Sequence, residues 1–252
     1  KLCESKNKFT TFISCPNKKN LEFIKNKYNV LLKLKKKKFI STYFEKISSQ
    51  NILKKKVNSL KFKDDDFVLK PIFSRGGRDV LTIKRLQTKD ILSFNKGREL
   101  QVKKSFFYKN KNKFLSKFKN KFPIIIMERL FGPNLDIDIL AWKGKLIKYV
   151  IRQRIGFQAE KGSIILTKNH KIEKIIKNVV KLFNLTGIYD CDFMFNKKKQ
   201  PSLLELNPRI SGSLYSCVEN KINFIDDLVY LSLGKISKIK KIKLNKNLII
   251  KK

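Results

Sequence analysis

The chain has 252 residues, is 42% hydrophobic, and carries 59 Lys and Arg against 20 Asp and Glu, a formal net charge of +39. That length can bury roughly 70–75% of its unfolded surface, enough for one large domain or two small ones. No window approaches the ~20 apolar residues that span a bilayer and no signal peptide is visible, so a cytoplasmic protein with no membrane partner is expected.

The first residue is Lys1 rather than Met, so a piece of a longer protein is expected. Cys3, Cys15, Cys191 and Cys217 show neither CxxC spacing nor the density of a disulfide scaffold, and His170 is the single histidine. Reduced thiols and no structural zinc are the expectation. The charge admits two readings. Clustered lysines neutralise phosphates and release counterions, which suits a nucleic acid. The excess is, however, nearly all lysine, spread along the chain and accompanied by abundant Asn, Ile and Phe, as AT-rich codons produce. Nucleic acid is therefore not the expected partner, although such charge still attracts anions at long range.

Residues 9–15 read as a short strand, and Asn20 to Lys38 as a helix with an apolar stripe through Leu21, Ile24, Tyr28, Leu31 and Leu34. Phe39 to Tyr43 is a candidate strand, followed by a helix over 44–59. Asp64 to Asp66 forms a turn into the strand Phe67-Val68-Leu69-Lys70-Pro71, and Ser74 to Asp79 is a loop before Val80 to Lys84 resumes the strand pattern. The Lys- and Phe-rich stretch 103–121 takes no firm assignment. Strands at Pro123–Met127 and Leu135–Ala141 precede a tight hairpin turn at Trp142-Lys143-Gly144-Lys145, which leads into Leu146–Arg152. Residues 171–185 form an amphipathic helix. Two strands, around Asp192 and Glu205, are joined by a turn at Asn196 to Pro201, and a helix follows from Phe224 to Leu233. The result is a mixed α/β chain without internal repeats.

Chemistry concentrates in Leu203-Leu204-Glu205-Leu206-Asn207-Pro208-Arg209. Glu205 and Asn207 are two apart, so an extended strand presents both on one face. Arg209 follows just past the proline. Two hard oxygen ligands beside a cationic fork suit Mg²⁺ and phosphate. Asp192, in Gly187-Ile188-Tyr189-Asp190-Cys191-Asp192, can join them if its strand pairs with that of Glu205. No GxxxxGK[ST] loop and no kinase signature is present. Lys70 ends a strand ahead of Arg75, Gly76 and Gly77, and adjacent glycines let backbone amides approach phosphate oxygens.

In these residues the chain resembles the ATP-grasp superfamily, particularly the ATP-grasp domains of carbamoyl phosphate synthase large subunits and carboxylate–amine ligases. The resemblance runs from about Asn20 to the end and implies two α+β lobes clamping ATP: residues 1–65 a partial N-terminal region, 66–130 a lobe with the glycine-containing loop, 131–252 a lobe with the metal site. It implies that Lys27 and Lys70 contact phosphate, that Arg75, Gly76 and Gly77 lie in the loop covering it, and that Met127-Glu128-Arg129-Leu130 holds adenine through backbone groups. Asp192, Glu205 and Asn207 are implied ligands of Mg²⁺, with Mn²⁺ as an alternative ion. Arg209, Arg152 and Arg154 are implied to stabilise the transferring phosphate or acyl intermediate. Asn134 stands where the family usually has an acid for the ribose hydroxyls, and Asn26 where an acid precedes the lysine. Few residues precede Lys27, where relatives carry an N-terminal α/β domain. Ser211 to Tyr215 and Gly156 to Ile165 are the acceptor-side candidates.

The implied activity is ATP-dependent ligation of a small carboxylic acid to an amine through an acyl phosphate, with a homodimer as the expected assembly. Two other readings stay open: phosphoryl transfer without ligation, of the carbamoyl phosphate synthase type, and a noncatalytic basic protein that binds nucleic acid.

Overall fold

The computed structural model describes residues 18–59, 65–74, 77–94, 97–154, 164–212, 214–218, 221–240, 242 and 248–250. Residues 9–15, Arg75, Gly76, Ser213 and 156–163 lie outside them, as does the side chain of Arg154. The chain divides into two compact units. One comprises Asn26–Phe131 and Asn196–Ser202; the other holds the remainder. No helix among the described residues is long and apolar enough to cross a membrane.

The Asn26–Phe131 unit is built on a six-stranded sheet: β1 (Phe44–Ile47), β2 (Phe67–Pro71), β3 (Val80–Lys84), β4 (Ile91–Phe94), β5 (Glu99–Lys103) and β6 (Ile124–Glu128), in the order β1-β6-β2-β3-β5-β4. Pairing is antiparallel except between β3 and β5, where Val80 faces Glu99 in a parallel ladder. Helices α2 (Lys27–Lys36), α3 (Gln50–Asn58), α4 (Lys104–Lys109) and α5 (Lys111–Ser116) complete it. Its core joins Leu53, Val57, Phe67, Leu69, Phe107, Phe114, Ile124 and Ile126, all at most 3% exposed.

Three expectations change here. The helix drawn over Asn20 to Lys38 is two helices, α1 (Lys18–Lys25) and α2, because Asn26 leaves helical geometry (φ −86°, ψ 96°) and accepts a hydrogen bond from the Asn29 amide at 3.0 Å. This N-cap satisfies an amide that the start of α2 would otherwise leave open. The strand placed over Phe39 to Tyr43 begins instead at Phe44, where pairing to Met127 starts. The following helix then waits until Gln50, where the Ser49 hydroxyl caps α3. The unassigned 103–121 stretch supplies α4 and α5, whose phenylalanines enter the core.

The second unit contains α1 and a sheet of β7 (Phe131–Trp142), β8 (Lys145–Arg154), β9 (Ile164–Thr167), β10 (Gly187–Phe195), β11 (Pro201–Asn207) and β12 (Leu248–Ile250), in the order β11-β10-β7-β8-β9-β12. The hairpin turn is as expected: Lys143 and Gly144 both take positive φ (45° and 74°), the pairing of left-handed residues that matches strand twist. Helix α6 (His170–Leu182) carries its buried stripe of Ile172, Ile175, Ile176, Val179 and Val180 on one side. Helices α7 (Tyr215–Val218) and α8 (Phe224–Ser232) serve an apolar cluster with Leu140, Val150 and Ile188. Alternation along each strand sets those three on the face that also carries Asp138, Arg152 and Asp190. That face therefore passes from apolar to charged along the strands.

Candidate functional site

Register brings the charges together. Asp136 pairs with Arg152 across β7 and β8, and Asp138 with Val150. Arg152 is fully buried; its Nε and Nη2 donate to Asp138 Oδ2 at 2.7 and 2.6 Å, and Nη2 also to the Ser211 hydroxyl at 2.9 Å. Burial pushes the Asp138 carboxyl up to about 7 against the pull of Arg152, and the charges of Asp190 and Asp136 raise it further. Its Oδ1 is buried without a hydrogen-bond partner among the described residues.

On the neighbouring strand, Asp192 retains some open surface, yet its carboxyl is densely surrounded. Burial raises its pKa well above the usual range, followed by the charges of Asp190, Asp136 and Glu205 and a hydrogen bond with Asp136. β10 and β11 are neighbours in the sheet, so Asp192 and Glu205 lie on adjacent strands. Asp190, 4% exposed, takes the Arg209 guanidinium at 3.0 Å and the Asn207 amide nitrogen at 3.5 Å on one oxygen, Oδ2. Arg209 is itself half exposed. Asp136 and Asp138 on β7, Arg152 on β8, Asp192 on β10, and Glu205 and Asn207 on β11, with Arg209 just beyond it, thus belong to one polar array across four adjacent strands.

Whether this array fits a divalent cation can be judged from its chemistry. Among the described residues no group of three or more His, Cys, Asp and Glu side chains is arranged to hold a metal ion unaided. The candidate set has two carboxylates and an amide, which is the sparse protein shell that Mg²⁺ accepts when phosphate oxygens and water supply the rest. A cation would also offset the mutual repulsion that raises Asp192. The residues fit the ion.

The other unit carries the residues expected to meet the nucleotide. Lys27, 8% exposed, donates from Nζ to the Ser74 carbonyl at 2.6 Å and the Ser74 hydroxyl at 2.8 Å. Lys70 is equally buried at the end of β2. Gly77 has φ 69°, a conformation glycine adopts without cost. Met127 and Leu130 are buried at and just beyond the end of β6. Glu128 accepts from the Tyr43 amide at 2.8 Å, and its carboxyl is raised first by burial. Arg129 pairs with Asp66 at 2.8 Å and stacks over Phe131 at 4.7 Å. Asn134, expected at the ribose, lies instead on β7, in the unit that carries the acids, and is exposed.

Residues 120–252, just over half of the chain, match the sequence model of a family described as ATP-grasp in the biosynthetic pathway with Ter operon. The chain belongs to this ATP-grasp family. The ATP-grasp chain also superposes on solved structures. N5-carboxyaminoimidazole synthase from Aspergillus clavatus, in complex with ADP and 5-aminoimidazole ribonucleotide, is 13% identical with a TM-score of 0.65 over 93% of this chain and 58% of that one. The biotin carboxylase domain of the Hydrogenobacter thermophilus 2-oxoglutarate carboxylase, bound to MgADP, ADP and bicarbonate, gives 14%, 0.64, 93% and 51%. L-amino acid ligase from Bacillus licheniformis gives 18%, 0.57, 85% and 48%. These likenesses are of fold, and the chain spans about half to three-fifths of those proteins. A search of curated proteins finds no match.

Sequence reasoning passed over Asp136, Asp138 and Asp190 as parts of this charged array. A signal was available: Asp136/Asp138 and Asp190/Asp192 are both acids two apart within otherwise apolar strands. Acids are rarely buried unless paired, so such a rhythm marks a charged stripe on a sheet face.

Proposed function

We propose that this chain is the ATP- and magnesium-using portion of a carboxylate–amine ligase. The observation that carries the reading is geometric: β10 and β11 are neighbouring strands on which Asp190 engages Asn207 and Arg209, with Asp192 and Glu205 two residues along from that contact on each strand, in a chain of ATP-grasp family. Asp192, Glu205 and Asn207 hold the cation, which when bound supplies charge neutralisation at the phosphates. Lys27, Lys70 and the amide of Gly77 bind phosphate oxygens, and the Met127–Leu130 backbone binds adenine.

A substrate carboxylate oxygen attacks the γ-phosphorus of ATP, the bond to the β-phosphate oxygen breaks, and ADP leaves. Arg209 offsets charge on the transferring group. Arg152, shut in by Asp138 and Ser211, acts on the reacting groups only through the loop it anchors. An amine nitrogen then attacks the acyl carbon, the carbon–oxygen bond to phosphate breaks, and the amine proton passes to solvent. Positioning and preorganised charge account for the catalysis.

The test is ADP release with Mg²⁺ and ATP against pools of carboxylic acids, with and without amines. One acid should stimulate release and yield an amide when an amine is present. Glu205→Ala should lower turnover by about 10²–10³-fold. Undiminished magnesium-dependent turnover in that variant excludes the site. ADP with a free phosphorylated product and no amide assigns the chain to phosphoryl transfer instead.

A further inference from the structure

The charged array contains an acid that the ligase reading leaves without a task. Asp190 is 4% exposed, and one of its oxygens, Oδ2, meets both Arg209 Nη1 (3.0 Å) and Asn207 Nδ2 (3.5 Å). An amide has one end that ligates a cation and one that does not, and the two are nearly identical in shape. Drawing Nδ2 toward Asp190 turns the Asn207 carbonyl oxygen away from it. The same carboxylate fixes the guanidinium of Arg209, which is half exposed and otherwise touches only the Ile210 carbonyl (3.1 Å) in its described contacts. Asp192, two residues on, shares the strand face, so all these groups are indexed to one strand.

We propose that Asp190 is the positioning residue of this site: it selects which end of the Asn207 amide faces the cation and aligns Arg209 beside it. The proposal rests on the reading of Asp192, Glu205 and Asn207 as cation ligands. Asp190 acts through its neighbours and is not itself a ligand. Partners that orient ligands in this way change metal affinity by about 10–100-fold when removed.

The experiment measures Mn²⁺ binding by electron paramagnetic resonance in the presence of a nonhydrolysable ATP analogue, with circular dichroism as the check of folding. Asp190→Asn should weaken Mn²⁺ binding about tenfold. In an Asn207→Ala background the same replacement should cost clearly less than in the parent, because the amide it orients is gone and only the alignment of Arg209 is left to lose. A purely structural role gives equal losses in both backgrounds and overturns the proposal. Arg209→Lys, which keeps the charge and discards the fork, gives a second route should Asp190→Asn fold poorly: it should loosen the site in the same direction, and an unchanged affinity there also counts against the proposal. Wild-type affinity in Asp190→Asn alongside lost binding in Glu205→Ala sinks this inference and leaves the ligase reading standing. Wild-type affinity in Glu205→Ala removes both.

Discussion

Arg152 and Asp138 are locked to each other with neither side chain open to solvent, the guanidinium reaching one carboxylate oxygen at 2.7 Å through Nε and 2.6 Å through Nη2. Removing Asp138 leaves the buried Arg152 guanidinium the longer contact to Asp136 at 4.0 Å, so the cost falls at the low end of the about 3–5 kcal/mol typical of breaking a buried pair. Asp138→Ala should therefore lower stability by that amount in urea unfolding. The double replacement Arg152→Met with Asp138→Leu should recover much of it, since an apolar pair needs no compensation.

Asn26 stands where the resemblance expects an acid, and the structure gives it a task of its own: it caps α2 and so sets the position of Lys27. Asn26→Ala should cost about 0.5–2 kcal/mol, measured by thermal unfolding. Asn26→Asp should keep the cap and stay within a few tenths of a kcal/mol of the parent, because aspartate caps as well as asparagine.

Glu99 on β5 has its carboxyl raised first by burial, against hydrogen bonds from Gln101 and Thr82 and the charges of Arg129 and Lys84. The folded state then holds this proton more tightly than the unfolded chain. Its contribution is complete below the unfolded pKa of about 4.3 and is lost as pH rises through the folded value. Glu99→Gln should accordingly raise the melting temperature at pH 7 and leave it unchanged near pH 3.5. A gain of equal size at both values would contradict the assignment.

Gly144 takes φ 74°, and a Cβ there would come within 2.8 Å of the Asn184 side-chain oxygen. A left-handed non-glycine residue costs roughly 1–2 kcal/mol before any contact is counted. Gly144→Val should thus destabilise by at least that much, and replacing Asn184, itself at φ 46°, with Gly in the same chain should relieve the contact share only.

Much of this was open to inspection in the sequence, and the reasons are local. Glu205-Leu206-Asn207 on an apolar strand fixes both side chains to one face whatever the tertiary context, and Lys143-Gly144 declares its turn. The helix break at Asn26 was hidden because the apolar stripe continues through it, so periodicity outvoted the cap. Strands β4, β5 and β9 carried too little alternation to register. β3 and β5 pair directly and in parallel although β4 separates them in sequence and sits outside β5 at the sheet edge, an arrangement set by tertiary partners and not by neighbouring residues. Asp190 was visible, but its role depends on Arg209 reaching back to it, which no spacing rule encodes.

Five of the chain's 20 acids (Asp136, Asp138, Asp190, Asp192 and Glu205) occupy that single sheet face, while the molecule as a whole bears +39. Under the proposed reading the two scales of field would pull on different halves of one ligand. Far from the surface the lysines would gather polyphosphate, a pull that ordinary salt screens within about 10 Å; the acids would draw in the divalent ion only at the last step, where salt has little purchase. Rising ionic strength should slow the arrival of metal–nucleotide while leaving its departure nearly untouched.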